Sequence, residues 1–169
     1  MKAKLIVGIG ALAAAVAWAA AIVVISAQTL FKPAPEVRFT PLSGETFSTS
    51  DLRGKVVLVN FWGSYCTPCI KEMPKIVATH EKFAVRGYET VAVAVRRDNP
   101  SRVVQFAASR ALPFKVALDS SGELAKEFGN VRITPTSFLI DRQGRVLRRY
   151  VGEHDWAELH HVVERELAR

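Results

Sequence analysis

The sequence predicts an α/β sandwich built on a mixed sheet, preceded by one N-terminal membrane-spanning helix. Three observations predict it. Short apolar runs alternate with stretches whose apolar residues recur at helical spacing. Near the C-terminus two apolar runs are separated only by Asp141-Arg142-Gln143-Gly144, a turn that joins antiparallel strands. Leu5 to Ala27 contains no charged residue.

That first segment is long enough to cross a bilayer. Residues 5–27 as a helix span about 34 Å, against a hydrocarbon core of about 30 Å. Lys2 and Lys4 precede it, so residues 1–4 stay in the cytoplasm and the rest is exported. Cleavage after Ser26, with Val24 at the third position back, would release the domain. The apolar run exceeds a signal-peptide core, which favours a retained anchor. Residues 28–36 read as a linker, and Lys32-Pro33-Ala34-Pro35 makes it a semi-rigid spacer. Residues 37–169 are expected to form the folded domain.

Within the domain, Phe39 to Phe47 reads as a small hairpin about Ser43-Gly44. Asp51 to Lys55 is a turn. Residues 56–61 are almost continuously apolar, as in a strand covered on both faces. A helix follows from near Cys66 to about Ala84. Pro68 falls in its first turn, where a missing N–H costs little, and Pro74 falls inside it and is expected to bend it. Its residues Ile70, Met73, Ile76, Val77 and Phe83 share one face. Thr90 to Val95 is a second strand. Asn99-Pro100-Ser101 starts a helix with Val103, Val104, Phe106 and Ala107 inward. Phe114 to Leu118 is a third strand, and Gly122 to Phe128 a short helix closed by Gly129. Thr136 to Ile140 and Arg145 to Val151 form the closing hairpin. The last helix, Asp155 to about Leu167, turns Trp156, Leu159, Val163 and Leu167 inward.

The chain has only two cysteines, Cys66 and Cys69, and they stand at the start of the first helix after the first strand. A thiolate is stabilised at a helix N-terminus, and thiolates attack disulfides. A purely structural bridge across so short a loop would contribute only about 2 kcal/mol on chain-entropy grounds. Zinc needs four ligands, and the histidines, His80, His154, His160 and His161, do not complete a set. Haem attachment requires histidine after the second cysteine, and Ile70 stands there. A copper-delivery module is the non-enzymatic alternative, with His154 joining the two thiolates. The peroxide-reductase pattern P-x3-[TS]-x2-C is absent at Cys66.

The formal net charge is +7, of which Lys2, Lys4 and Lys32 supply three before the first acid, Glu36. The remaining balance is mild. Arg96-Arg97 and Arg142, Arg145, Arg148 and Arg149 are not interleaved with aromatics, which argues against a nucleic-acid surface. They read as a solvated face, and nothing in the sequence ties them to an acidic partner.

The stretch Asn60-Phe61-Trp62-Gly63-Ser64-Tyr65-Cys66-Thr67-Pro68-Cys69-Ile70-Lys71-Glu72-Met73-Pro74 resembles the active-site segment of the TlpA/ResA-like family. Ile133-Thr134-Pro135-Thr136 is similar to that family's cis-proline loop, and the stretch between Val95 and Thr134 to its inserted helix–strand unit. The resemblance spans residues 37 to about 167. It implies a thioredoxin-like three-layer sandwich and a membrane-anchored thiol–disulfide oxidoreductase of the bacterial envelope, facing the periplasm from the inner membrane. It further implies no cofactor beyond the Cys66–Cys69 disulfide, no metal, a protein disulfide as substrate and a membrane thiol-electron transporter as reductant. The domain is expected to be a monomer. Its clients would be an apocytochrome c, in cytochrome c biogenesis, or a copper-centre assembly protein. A general oxidant or isomerase is the enzymatic alternative.

Roles follow for single residues. Cys66 is the expected attacking thiolate and Cys69 the resolving thiol. A helix terminus that took a thiol from about 8.5 to about 7 would raise its thiolate fraction about 16-fold at neutral pH. Intrinsic nucleophilicity would fall about fivefold, leaving a net gain of about threefold. Positioning of the partner disulfide must therefore carry much of the rate. Glu72 lies one turn beyond Cys69 on the same helical face. Spacing alone is equally consistent with a solvated glutamate; the resemblance implies a part in proton transfer. A trans bond before Pro135 is the default for an X–Pro pair, and the resemblance reverses that. Thr134 would then offer its backbone to an extended substrate strand. Trp62 is expected to support the turn, Tyr65 to shield the disulfide, and Thr67 and Pro68 to tune the redox couple. Asn60 and Tyr65 depart from the usual residues. Asn60 stands where thioredoxin has a buried acid, which shifts attention to Glu72.

Overall fold

A computed structural model describes Trp18 and residues 31–169. The expected anchor, residues 5–27, and the cytoplasmic residues 1–4 lie outside this range, apart from Trp18. Among the described residues no helix is long and apolar enough to cross a membrane.

The unit from Pro33 to Arg169 is built on five strands: β3 (Val56–Trp62), β4 (Tyr88–Ala94), β5 (Lys115–Leu118), β6 (Thr136–Ile140) and β7 (Val146–Val151). Their order in the sheet is β5-β4-β3-β6-β7. β3 pairs parallel with β4 and antiparallel with β6, so the sheet is mixed as expected. Every residue of β3 is buried, which is why that run is apolar throughout.

Alternation along β3 divides the core in two. Val57, Val59 and Phe61 face one side with Val91, Val93, Phe128 and Phe138. Trp62 faces the other with Cys66, Cys69, Met73, Ile76, Ala92 and Val103. Helices α1 (Thr67–Phe83), α2 (Pro100–Ser109) and α4 (Trp156–Leu167) supply residues to the second side. Helix α3 (Glu123–Glu127) and the antiparallel pair β1 (Arg38–Phe39) and β2 (Phe47–Ser48) cover the first. Four phenylalanines, Phe39, Phe61, Phe128 and Phe138, make edge and tilted contacts 5.2–6.4 Å apart there.

Helix starts follow their caps. The Asn99 side chain accepts from the N–H groups of Ser101 and Arg102, and Asp155 from those of Ala157 and Glu158. Helix α1 runs unbroken through Pro74.

Four details differ from the sequence reading. Val104, expected inward, is 49% exposed. Val103 already points at the sheet, and the next helical residue lies about 100° away, toward solvent. β4 begins at Tyr88 rather than Thr90. Glu89 disguises its start: this buried carboxylate is held by Lys55 and Lys115 at 3.1 and 3.0 Å. The first hairpin pairs only two residues on each side, with a long connection between. Residues 33–36, read as linker, lie along the domain. Ala34 N–H donates to Gly144 C=O, the Pro35 carbonyl accepts from Thr49 Oγ1 at 2.8 Å, and Glu36 takes Ser50. Prolines leave carbonyls free for such side-chain donors.

Candidate active site

β3 ends at Trp62, and after a three-residue loop Cys66 becomes the N-cap of α1, with extended backbone. The intervening loop is tied down. Ser64 donates through its N–H and its hydroxyl to the carboxylate of Asp98, the latter at 2.6 Å. Cys66 N–H donates to Gly63 C=O at 3.0 Å. The Tyr65 ring lies over Gly63 so closely that a Cβ there would come within 2.9 Å of it. A side chain at that position would displace the exposed Tyr65 ring.

Cys66 and Cys69 are joined in a disulfide, with Cα atoms 5.2 Å apart. Cys66 is 7% exposed and Cys69 2%, so Cys66 is the less buried residue of the pair. Across from it, the carbonyl oxygen of Thr134 lies 3.5 Å from Cys66 Sγ. The Thr134–Pro135 bond is cis. Thr136 Oγ1 donates to Ile133 C=O, and Gly152 N–H to Pro135 C=O at 2.9 Å, so this loop is braced from both ends.

The other expected residues fall around this pair. Trp62 is fully buried against Phe106, ring centres 5.2 Å apart, and supports the turn by packing. Pro68 sits in the first turn of α1. Tyr65 is 46% exposed, its ring beneath the Arg97 guanidinium at 5.9 Å. The Asn60 amide donates to Ser137 Oγ at 2.8 Å, a neutral cross-strand pair.

Glu72 is 4% exposed, which rules out the solvated alternative. Its Oε1 accepts from the backbone N–H of His154 at 2.6 Å, and both carboxyl oxygens lie within 3.1 Å of His154 Nδ1. Tyr150 and Trp156 enclose the imidazole, ring centres 5.3 and 4.9 Å away. His154, named from the sequence only in the copper-delivery alternative, turns its Nδ1 to Glu72, a pairing the sequence does not reveal. Among the described residues no three His, Cys, Asp or Glu side chains gather as a metal cluster. Ile133, in the same loop, is 60% exposed beside Thr134, an exposure the sequence does not reveal.

A strand-to-helix turn, a C-x-x-C disulfide at the helix start and a facing cis-proline loop define a thiol–disulfide oxidoreductase of the thioredoxin-like class. The comparisons with known proteins agree. The Redoxin family profile matches residues 31–165. The thiol-disulfide oxidoreductase ResA of Bacillus thuringiensis subsp. konkukian is 36% identical over 79% of this chain and 76% of its own length. ResA of Bacillus subtilis is 34% identical, over 75% and 70%. Among solved structures, a putative thioredoxin from Neisseria meningitidis superposes with a TM-score of 0.76 at 36% identity, covering 82% of this chain and 92% of that one. A putative thiol:disulfide interchange protein DsbE from Chlorobium tepidum gives 0.75 at 32%, over 81% and 96%. This chain belongs to the Redoxin family, as one of its TlpA/ResA-like members.

Proposed function

We propose that the protein is an envelope disulfide reductase, held in the inner membrane by residues 5–27 with its domain in the periplasm. It acts as a monomer. A membrane thiol-electron transporter reduces its Cys66–Cys69 disulfide, and the resulting dithiol reduces one selected protein. That client is an apocytochrome c with its C-x-x-C-H pair or a copper-centre assembly protein. The observation that carries this reading is the placing of Cys66: the less buried cysteine, at a helix start, its Sγ 3.5 Å from the Thr134 carbonyl of the cis-proline loop. A client strand lying along Thr134 would bring its own sulfur to Cys66 and nowhere else.

The cycle balances as a two-electron exchange. The Cys66 thiolate attacks one client sulfur, forms a mixed disulfide and expels the other client sulfur as a thiolate. The Cys69 thiol gives up its proton, and its thiolate attacks Cys66 Sγ. The client leaves as a dithiol, and the Cys66–Cys69 disulfide remains. Glu72 is the proton acceptor we assign to the second step. It shares the helical face of Cys69, is screened from water, and is oriented by two donors of His154.

Direction is tested by trapping the in vivo thiol state with an alkylating reagent and measuring the reduction potential. A reduced pool and a potential more negative than about −180 mV support a reductase. An oxidised pool with a higher potential would make the protein an oxidant or isomerase instead.

A further inference from the structure

We propose that the surface beside the disulfide selects clients that carry acidic residues next to the exchanged cysteines. This rests on the exchange reading above and adds the chemistry of the client. A cleft of about 350 Å³ opens at Thr134, the residue whose carbonyl touches Cys66 Sγ. Arg96, Arg97 and Arg132 line it, with Val95 and Val131 in its floor. Two of these arginines follow β4 and the third precedes the cis-proline loop, so the fold assembles them from positions 35 residues apart.

All three are exposed, and among the described residues none has a carboxylate within ion-pair distance. Other basic residues of the domain do: Lys55 and Lys115 share Glu89, Arg148 meets Glu158, and Arg165 and Arg169 share Glu166. The one acid in the Arg96–Arg97 loop, Asp98, is buried and its oxygens are taken by Ser64 and its neighbour Asn99. Two of the arginines also pack against neighbouring groups. Gly122, at φ +81°, lets the Arg96 stem pass so closely that a Cβ would lie 3.2 Å from its Cδ, and Arg97 lies over the Tyr65 ring. The surface is therefore a cluster of exposed guanidinium groups beside the reactive sulfur.

Guanidinium forks match carboxylates in pairs. Ile133 and Tyr65, both exposed, supply apolar contacts on the flanks of Thr134 and Cys66. An extended peptide fits this combination: backbone along Thr134, cysteine at Cys66, carboxylates over the arginines. A nucleic acid would meet no stacking platform of successive aromatics here.

The test uses the pre-reduced full chain and three synthetic disulfide peptides, with acidic, neutral or basic residues flanking the cystine. The second-order exchange rate constant is read at low and at about 0.5 M salt. The acidic peptide should react at least tenfold faster than the basic one at low salt, the scale of electrostatic steering. That ratio should collapse toward one at high salt and in Arg96→Gln/Arg132→Gln, and invert in Arg96→Glu/Arg132→Glu. Equal rates for acidic and basic peptides, with exchange intact, would overturn the proposal and leave the reductase reading standing. Failure to react with any peptide or with uncharged hydroxyethyl disulfide would overturn both. No charge preference among peptides, together with arginine-dependent binding to phosphatidylglycerol vesicles, would assign the cleft to lipid and overturn it as well.

Discussion

Glu72 and His154 stand 82 positions apart, and each meets a need of the other. A carboxylate taken out of water requires donors; the backbone N–H and ring of His154 supply them. Removing the ring should cost about 1–3 kcal/mol, because Glu72 then loses a buried partner. His154→Ala is accordingly expected to lower the urea midpoint with an unchanged slope. Glu72→Gln keeps an oxygen for the His154 N–H, so its larger effect should be kinetic. We expect it to slow release of the client from the mixed disulfide. A release rate identical to wild type would return Glu72 to a structural part. At this scale the sequence reaches Cys66 and Cys69 easily, because spacing and flanking strand define them together. It reaches Glu72 only through resemblance. It misses His154, because burial of a glutamate cannot be seen without the tertiary contact that causes it.

Between elements, α1 and α4 lie against each other through histidine. His160 shares a hydrogen bond with Thr79 at 2.9 Å and packs edge-on to Phe83. His80 packs edge-on to Phe114. Burial holds both histidines below the ordinary value of 6.5; nearby Lys82 adds to this for His160, and Lys115 for His80. The folded state therefore binds fewer protons than the unfolded chain just below that value. Stability is fully present above about pH 6.5 and falls as the pH drops toward the folded-state values. Urea midpoints measured downward from neutrality should fall, and His160→Gln should flatten the fall by up to one proton's worth. An equally steep decline in the variant would contradict this account. The helices themselves are legible in the chain because Asn99 and Asp155 announce their starts and apolar spacing their faces. Val104 is misread because α2 presents a narrow inner face centred on Val103, whereas α4 buries the adjacent Val162 and Val163 together. β4 is read two residues short because its Glu89 finds counter-ions only after folding, from Lys55 and Lys115.

For the whole molecule, the three-layer plan follows from β3. A fully buried strand needs cover on both sides, and its odd and even residues divide the chain's apolar side chains between two cores. Phe61→Ala would hollow out the aromatic core and is expected to cost about 3–5 kcal/mol. The N-terminal segment carries a separate prediction. Full-length protein should fractionate with inner membranes and be released only by detergent. Protease added to spheroplasts should remove the domain; protection of the domain would reverse the expected topology.

The most direct measurement is capture of clients by Cys69→Ser expressed in the envelope. With the resolving thiol gone, mixed disulfides through Cys66 should accumulate, dissolve under reductant, and vanish in Cys66→Ser/Cys69→Ser. A folded Cys69→Ser protein that captures nothing, and whose Cys66 resists alkylation, would contradict thiol exchange at this site.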